Sequence, residues 1–407
     1  MPHSAIQSDV LVVGAGPAGS ATATLLARAG FSVLVIDRAA FPRDKPCSEY
    51  MSPESVRILD RLGVLQALES AGAMALQGMK LTAPHGATLH GRFSLAGHQP
   101  FRPTGLSVSR RIMDNQLVAA ARRAGATVLE RTCVEELLYD RGAVAGVLVR
   151  SVEGRRYSLR ARLTIGADGL RSVVARRIGR RTRGGLQRHA FVAHVGGVQD
   201  MGPSAELHVS AGGYVGLNQV SADETNVALV IPSERAAPAG AGIEAFFWRT
   251  LDEFPGIRER VQGGQVVGRI LTTGPFAVWS RRVSTDGALL VGDAADFFDP
   301  FTGDGIYSAL RGAELVAETA IAALGWPGTV SVERLADYQR ARRKAFAGKW
   351  IMERVTGYGM RFPRLFERTV ARLGRREGMA DAVIGVAGGF VPARSVLNPV
   401  FLARMLL

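Results

Sequence analysis

The start of the chain alternates between short apolar runs and small residues, in an order that predicts a strand, a tight turn, a helix and a second strand. Residues 9–13 form the first apolar run, and the sequence GAGPAG follows directly. Small and apolar residues continue at helical spacing to Gly30, and a second apolar run covers residues 31–36. This order predicts an α/β fold with a parallel sheet.

The glycine-rich turn is the first candidate binding site. Gly14 would allow the tight turn, Gly16 would let a pyrophosphate approach the backbone, and Gly19 would let helix and strand pack closely. Pro17 and Ala18 stand at the start of the helix, whose positive end favours a phosphate. We therefore predict that this turn binds a dinucleotide; a glycine turn without a ligand is the alternative.

An acidic residue ends the second apolar run. Asp37 follows Gly19 by 18 positions, close to the separation of about 20 that is typical of an acid holding a ribose hydroxyl. Arg38, the next residue, is a cofactor-binding candidate with it. Because this spacing is shared by NAD and FAD sites, the choice between them rests on later segments.

Two later segments have the same order of strand, turn and helix. In LTIGADGLRSVVARRIG an apolar strand leads to a turn at Asp168 and a helix that begins near Ser172. Further on, a buried strand ends in GDAA, which starts at Gly292, and the turn 303–305 opens a long amphipathic helix. These segments decide between the two dinucleotides.

Together the motifs resemble the flavoprotein superfamily that includes para-hydroxybenzoate hydroxylase, the flavin-dependent halogenases and the geranylgeranyl reductases. The resemblance covers the chain to about residue 330 and rests on GAGPAG, GADG, GDAA, DPFTGDGI and the helix start at 110–117. It implies FAD as the cofactor. Asp37 would then hold the adenosine ribose, Asp293 the ribityl chain, and Arg110 would lie near the flavin. The Asp168 turn would shape the site where the flavin, and often NAD(P)H, are handled.

The turn before the long helix has a physical role of its own. A helix N-terminus carries about half a positive charge, so aiming it at the flavin pyrimidine would stabilise the anion left after hydride uptake. Glycines here keep side chains away from the ring. The alternative is a helix start with ordinary turn glycines. The candidates in this turn are Pro300, Gly303, Asp304, Gly305 and Ile306.

The stretch FPRDKPCSEY resembles the geranylgeranyl reductase branch, whose pattern here reads roughly F-P-R-x-K-x-C-G-E; Ser48 replaces the glycine. Ser52 and Pro53 predict an N-cap and the first position of a helix, so Cys47 lies in a loop that faces the cofactor.

Three roles remain open for Cys47. A nucleophile would need a histidine base, and none lies nearby in the sequence. Lys45 and Arg43 would lower the pKa of the thiol, whereas burial beside an apolar ring would raise it. Packing or positioning next to the flavin is the first interpretation, a proton donor or reactive thiol is the second, and no role is the third.

Residues 187–271 read as strands of a sheet with one covered face, the usual roof of the flavin pocket in this superfamily. Geranylgeranyl reductases tend to carry Y-x-W-x-F-P here and tryptophan-type halogenases W-x-W-x-I-P, whereas this chain reads YVGLNQ from Tyr214. This difference weakens the assignment of the chain to the geranylgeranyl reductases and to the tryptophan-type halogenases. Tyr214 is a second catalytic candidate, and His194, His208 and Asn218 would either face the cavity or serve the sheet.

Composition narrows the class of protein. The chain has 407 residues, 47% of them hydrophobic and 21% charged, which is enough for a large core and two interleaved domains. Its two cysteines, Cys47 and Cys133, cannot form a metal cluster alone and suggest no disulfide framework, so we expect no metal and a reducing, cytoplasmic location. We also expect neither a signal peptide nor a membrane-spanning helix.

The net charge is +14, and many basic residues lie between Arg334 and Arg376. A solvated helical face is the simpler interpretation. The alternative is peripheral contact with an anionic membrane or an acidic carrier, because each basic residue near such a membrane contributes about 1 kcal/mol. A nucleic-acid partner is not expected, since no zinc-finger spacing, aromatic RNP-like strand or basic heptad accompanies the charge.

We therefore predict an α/β fold with a Rossmann-like FAD-binding domain of the glutathione-reductase type, an inserted β-sheet substrate domain and a helical C-terminal region. The predicted FAD-binding segments are 1–75, 105–180 and 285–330, the substrate domain is 76–104 and 181–284, and the helical region is 331–407.

The predicted function is FAD-dependent oxidation or reduction of a hydrophobic small molecule. The preferred form is a monooxygenase that takes electrons from NAD(P)H and hydroxylates an aromatic, polyketide or quinone-like substrate, with a separate flavin reductase as a further option. Reduction of prenyl-chain double bonds is the alternative. A halogenase is third, because only Lys45 is a candidate for its lysine. A non-catalytic flavin-binding scaffold is the option from a different class.

Overall fold

The computed structural model describes residues 6–237, 242–376 and 378–406. Its strands are β1 (Ile6–Val13), β2 (Val33–Ile36), β3 (Tyr50–Met51), β4 (Met74–Leu76), β5 (Gly78–Thr82), β6 (Thr88–Arg92), β7 (Gly105–Ser107), β8 (Thr127–Leu129), β9 (Cys133–Asp140), β10 (Ala143–Arg150), β11 (Arg156–Gly166), β12 (Arg181–Arg183), β13 (Arg188–Gly196), β14 (Ser204–Ser210), β15 (Gly213–Gln219), β16 (Glu224–Pro232), β17 (Gln265–Thr273), β18 (Val278–Ser280), β19 (Ser284–Thr285), β20 (Ala288–Leu290) and β21 (Asp296–Phe297).

Its helices are α1 (Pro17–Arg28), α2 (Pro53–Arg61), α3 (Leu65–Ser70), α4 (Arg110–Arg123), α5 (Val173–Ile178), α6 (Ser233–Ala236), α7 (Ile243–Leu251), α8 (Pro255–Val261), α9 (Gly305–Leu324), α10 (Ala336–Gly359), α11 (Pro363–Arg375), α12 (Met379–Ala387) and α13 (Pro399–Leu406).

An eight-stranded sheet with a parallel centre organises the first part of the fold. Its order is β19-β20-β11-β1-β2-β8, and β9 and β10 extend it from β11 as an antiparallel hairpin. Strand β1 pairs in parallel with β2 and β11, and β11 pairs in parallel with β20. The carboxyl ends of these strands therefore meet at one edge, which brings the turns of GAGPAG, Asp37, GADG and GDAA together.

Helices cover this sheet, which explains why its strands read as continuous apolar runs. In β1 and β2, residues 10–13 and 33–36 are all buried. Helix α1 packs against α4 and α9, and its buried positions include small residues such as Ala21. Burial on both faces is what a parallel sheet requires.

A seven-stranded sheet of order β17-β13-β16-β15-β14-β5-β6 forms the second layer, antiparallel except where β14 meets β5. Alternate residues of its strands serve different faces. Phe191 and Val195 of β13 pack in a core with Phe247 and Leu251 of α7, whereas Ala190 and its alternate neighbours face the other way. This second face is the one that lies over the cavity described below.

The last four helices close the fold. Helix α10 packs against α9, and α11 and α12 pack against β6. Val391 and Val396 are buried in a small C-terminal core together with Ala96 and Val386. Val400 is 69% exposed and does not take part.

The predicted fold class, a Rossmann-like parallel sheet with a second sheet and a helical C-terminal region, is confirmed. Strands of the eight-stranded sheet come from residues 6–36, 127–166 and 284–290, and those of the seven-stranded sheet from 78–92 and 188–273. The exact division of the chain into domains stays a prediction.

Candidate functional site

A cavity of about 790 Å³ lies between the carboxyl ends of the parallel strands and the seven-stranded sheet. This volume is within the range of about 300–1,000 Å³ that small-molecule sites occupy. All but one of the predicted site residues line this cavity, and the exception is Gly19. The lining residues among them are Gly14, Gly16, Pro17, Ala18, Asp37, Arg38, Cys47, Arg110, Asp168, Tyr214, Gly292, Asp293, Pro300, Gly303, Asp304, Gly305 and Ile306.

The glycines of the first turn have separate roles. Gly14 has a φ of +100°, and a Cβ there would lie 2.5 Å from the carbonyl oxygen of Ala167. A Cβ on Gly19 would lie 1.8 Å from the oxygen of Gly14. A Cβ on Gly16 would meet only the Arg43 guanidinium, at 3.6 Å. The fold therefore requires Gly14 and Gly19, whereas Gly16 keeps space open towards the cavity.

Asp37 is held by the backbone at the end of β2. Its Oδ2 accepts the N–H of Ala15 at 2.7 Å, and its Oδ1 accepts the N–H of Ala39 at 2.8 Å. A carboxylate has about four lone-pair sites, so each oxygen can still accept a ribose hydroxyl. Arg38 beside it is exposed in the cavity wall.

Asp168 serves its own turn. Its Oδ1 accepts the Ser172 hydroxyl at 2.5 Å, and its Oδ2 accepts the N–H of Val173 at 2.6 Å, at the start of α5. Burial raises the pKa of this carboxyl, and the hydrogen bonds from the turn oppose that shift. Asp168 therefore shapes the cavity wall by holding the turn.

Asp293 lies in the cavity wall together with two cations. Burial raises the pKa of Asp293, while the charges of Lys45 and Arg110 act in the opposite direction. Burial and the charge of Arg110 lower the pKa of Lys45. This combination of an acid and two cations can bind both hydroxyl and phosphate groups of a ligand.

Cys47 lies in a loop, as predicted, and its Sγ accepts the N–H of Glu49 at 3.3 Å. Burial raises the pKa of the thiol, and the neighbouring Arg110 guanidinium acts to lower it. Arg110 is itself fixed, because Asp114 accepts two hydrogen bonds from it at 2.7 and 2.8 Å. The loop thus places a thiol whose protonated form is favoured by burial beside a cation that Asp114 holds.

The cysteine loop is anchored through Glu49, whose backbone has an unusual φ of +60°. Its Oε1 accepts the N–H of Arg110 at 2.6 Å, at the start of α4. Its Oε2 accepts the amide of Asn226 at 2.9 Å and lies 2.7 Å from His194 Nε2. Sequence reasoning missed this cluster. The fold brings His194, which is distant in the sequence, to the carboxylate of Glu49.

Tyr50 carries a buried polar atom without a partner. Its side chain is 2% exposed, lines the cavity, and has no hydrogen-bond partner for its hydroxyl in the described structure. Its ring packs against the Gly303 turn, since a Cβ on Gly303 would lie 3.0 Å from the ring. Burial and the charge of Asp304 raise the pKa of this phenol well above its ordinary value. Because an unpaired buried hydroxyl is costly, Tyr50 indicates a ligand oxygen in the cavity.

The hydroxyl of Tyr214 is hydrogen-bonded to a buried ion pair. Its hydroxyl donates to Asp299 Oδ1 at 2.7 Å, and Arg188 donates to Asp299 Oδ2 at 2.7 Å. Asp299 also accepts the N–H of Phe301 in the turn before α9. Burial and the charge of Asp299 raise the pKa of Tyr214 well above its ordinary value. The contacts favour a positioning role for Tyr214; its catalytic role stays a prediction.

The other candidates on the seven-stranded sheet are Asn218, His194 and His208, and only some of them line the cavity. Asn218 lines the cavity and donates to the Ser107 hydroxyl. His194 and His208 are not among the residues that line it, and His208 lies 2.9 Å from Glu206. Of the four candidates on these strands, the structure therefore brings only Tyr214 and Asn218 to the cavity.

Helix α10 contributes two cavity residues that sequence reasoning missed. Lys349 Nζ donates to Glu353 Oε1 at 2.7 Å and lies 3.6 Å from Asp304 Oδ1. Burial raises the pKa of Glu353; burial also opposes the charge on Lys349, but its carboxylate neighbours raise the lysine's pKa. In the sequence both residues look like part of a basic amphipathic helix, so spacing carries no signal for this role.

Comparison with known proteins matches residues 7–353 to the FAD binding domain family. Digeranylgeranylglycerophospholipid reductase 1 of Methanococcoides burtonii is 30% identical over 353 residues, covering 84% of this chain and 81% of the relative. Menaquinone reductase of Mycobacterium tuberculosis is 29% identical over 363 residues, covering 83% of each chain. The solved structure of the myxobacterial chondrochloren halogenase is 25% identical and has a TM-score of 0.81, covering 96% of this chain and 99% of that one. The resemblance to reductases and halogenases is confirmed.

The residues of the cavity fit FAD. Gly16 leaves room for a pyrophosphate at the N-terminus of α1, and Asp37 retains acceptor capacity for a ribose. Lys45 and Asp293 offer polar groups further along, and Tyr50 has a hydroxyl in need of a partner. The cavity thus matches the charged and the hydroxylated parts of this cofactor.

Proposed function

Because this chain belongs to the FAD binding domain family and is a flavin-dependent enzyme, we propose that it reduces a carbon–carbon double bond of an apolar, polyprenyl-type molecule. One observation carries the proposal: the cavity wall holds the thiol of Cys47 together with the cation Arg110, which Asp114 fixes in place. The reductase relatives, which match more than four fifths of this chain, support it.

Four parts of the chain would hold the cofactor. Gly16 and the start of α1 would bind the pyrophosphate, Asp37 the ribose and Asp293 the ribityl hydroxyls. The N-terminus of α9 at residues 303–306 would face the flavin pyrimidine. When bound, FAD supplies the two electrons of the reaction as a hydride. We propose NAD(P)H as the source of these electrons, directly or through a separate flavin reductase.

Saturation of a double bond needs a hydride at one carbon and a proton at the other. Burial keeps the proton on Cys47 in the resting enzyme, and Arg110 would stabilise the thiolate that remains after the proton is transferred. Solvent would then restore the thiol. Tyr50 is less suited to this step, because burial and the charge of Asp304 both raise its pKa. Its hydroxyl is suited to hold an acceptor oxygen.

A specific observation favours a second candidate, hydroxylation of an aromatic or quinone-like ring with NAD(P)H and O2. Gly216 lies in the cavity wall within the segment where the reductase branch carries an aromatic motif. A Cβ on Gly216 would meet nothing closer than 3.7 Å. The sheet therefore leaves room for a ring at this position. Halogenation remains the third candidate, with Lys45 in the cavity but without the tryptophan motif.

The test uses the FAD-loaded full-length protein, reduced under anaerobic conditions. A geranylgeranyl-bearing phospholipid is added, flavin oxidation is followed by absorbance, and the product is analysed by mass spectrometry. A reductase oxidises its flavin without oxygen, and its product gains two hydrogens, one of them from solvent. Flavin oxidation that requires both substrate and O2, with an oxygen atom in the product, would instead identify a hydroxylase.

The Cys47→Ala variant tests the proton donor. We expect full FAD content and a substrate-dependent rate of flavin oxidation about 100-fold lower, the scale of general acid catalysis. Cys133→Ala is the matched control, since it removes the other thiol in the chain. A Cys47→Ala enzyme with the wild-type rate would exclude the thiol from proton transfer.

A further inference from the structure

A row of exposed apolar side chains runs along the end of α10 and into α11. Ile351, Val355 and Tyr358 are spaced so that they share one face of α10, and Phe362 and Leu365 continue the row after the turn. Their exposed fractions are 46, 60, 41, 62 and 55%. We call these five residues the docking strip.

The docking strip is separate from the residues through which these two helices pack against the rest of the fold. Helix α11 already buries Val370 and Leu373, and α10 buries Tyr338 and Phe346. Burying apolar surface gains about 25 cal/mol per Å². Leaving the five side chains of the strip in water is therefore unfavourable compared with covering them. Exposed apolar groups of this kind mark interaction surfaces.

The exposed charges around the strip all have one sign. Two acids lie in residues 351–376, and both are engaged: Glu353 is buried and bonded to Lys349, and Glu367 accepts the N–H groups of His85 and Ala87. The exposed charged side chains of this segment are Arg354, Arg361, Arg364, Arg368 and Arg375. The partner of this surface should therefore be apolar in part and anionic in part.

The docking strip also adjoins the wall of the cavity. The ring of Tyr358 lies 6.2 Å from that of Phe298, and Phe366, next to Leu365, lies 6.4 Å from Phe301. Phe298 and Phe301 both line the cavity. The docking strip is therefore in aromatic contact with the cavity wall through Tyr358 and Phe298.

We propose that the docking strip and its arginines bind the surface of an anionic lipid membrane, with Phe362 and Leu365 among the acyl chains and the arginines at the head groups. A second copy of the chain fits less well, because a two-fold contact would bring the arginines of both copies together. In the described part of the chain, no helix has the length and apolarity to cross a bilayer, so contact through these helices would be interfacial. The binding itself is independent of the proposed reaction, although it would give that reaction its lipid substrate.

The experiment is flotation of the FAD-loaded full-length protein with phosphatidylcholine vesicles, with and without phosphatidylglycerol. We expect binding only to the anionic vesicles, and less of it at high salt. Arg361→Gln, Arg364→Gln and Arg368→Gln together should lower the bound fraction at least about tenfold. The double variant Phe362→Ser, Leu365→Ser should lower it by a similar factor, and retained FAD would show that each variant is folded.

Matched controls change the same chemistry elsewhere on the surface. Arg123→Gln, Arg141→Gln and Arg155→Gln together remove three exposed arginines, and Leu95→Ser with Val152→Ser removes two exposed apolar side chains. These variants should bind like the wild type. Equal binding by the strip variants and their controls, or no binding by the wild type, would overturn the proposal. So would concentration-dependent dimerisation that the strip variants abolish. None of these outcomes depends on turnover.

Discussion

The wall of the cavity formed by the parallel sheet presents backbone atoms and turn glycines, whereas the wall formed by the seven-stranded sheet presents small apolar side chains. Gly16 and Gly303 represent the first wall, and Ala190, Val192 and Ala228 represent the second. Backbone N–H groups and helix ends recognise phosphate and ribose, which every FAD carries. Small apolar side chains recognise shape, so the second wall is where substrates can differ within the family.

The two walls also treat their polar groups differently. On the seven-stranded sheet, Tyr214 is tied to Asp299, and Glu206 is bonded to His208 and Arg260. Burial opposes the charge of Glu206, but these hydrogen bonds lower its pKa to about 2. On the opposite side, the Tyr50 hydroxyl has no partner in the described structure. Polar recognition of ligands is therefore concentrated beside the parallel sheet and the cysteine loop.

The largest effect separates two glycines of the first wall. Gly19→Ala places a Cβ 1.8 Å from a backbone oxygen, so we expect a loss of about 3–5 kcal/mol in the free energy of unfolding. Gly16→Ala meets only a flexible arginine, so stability should change by less than about 1 kcal/mol while FAD affinity falls at least about tenfold. Denaturant unfolding and FAD titration measure the two quantities. Equal loss of stability in both variants would contradict the division of roles.

The second effect, of comparable size, concerns the hydrogen bonds that join Asp299 to the seven-stranded sheet. Asp299→Ala leaves the buried Arg188 without its carboxylate, and we expect a loss of about 3–5 kcal/mol in the free energy of unfolding, at the lower end if water enters. Tyr214→Phe removes one hydrogen bond and should cost about 1 kcal/mol. Urea unfolding of both variants gives the comparison. A Tyr214→Phe enzyme of normal stability but without activity would restore the catalytic role predicted from the sequence.

The smallest effect is a pH dependence at the cysteine loop. Burial opposes the charge on His194, but the hydrogen bond with Glu49 and the charges of Glu49 and Glu224 raise its pKa. A raised pKa stabilises the fold below the ordinary value of about 6.5, and this stabilisation is lost as pH rises through the folded-state pKa. We expect this stabilisation to contribute less than about 1 kcal/mol to the free energy of unfolding, since the imidazole is partly exposed.

The measurement is the melting temperature of the wild type and His194→Gln across neutral pH. The wild type should gain stability relative to the variant at acid pH. His98→Gln controls for the loss of a histidine elsewhere, since His98 is exposed. Parallel pH curves for the wild type and His194→Gln would show that this contact does not couple the loop to pH.

The elements of the first wall were predictable because their signals are local. Ser52 accepts the N–H of Ser55 and Pro53 begins α2, as the sequence predicts. The long helix α9 begins at Gly305, the last residue of the predicted turn. Helix caps and left-handed turns depend on residues a few positions apart, so a short pattern carries the information.

The sequence by itself determined the cofactor class, the position of the phosphate turn and the order of strands and helices, because these follow from hydrophobic periodicity and short-range backbone requirements. Only the tertiary structure decided that Glu49 meets His194 across 145 residues, that Lys349 reaches Asp304, and that five apolar residues lie exposed beside arginines. The reason is register. In a strand, successive side chains face opposite sides, so alternation predicts two faces but leaves open which of them lines the cavity.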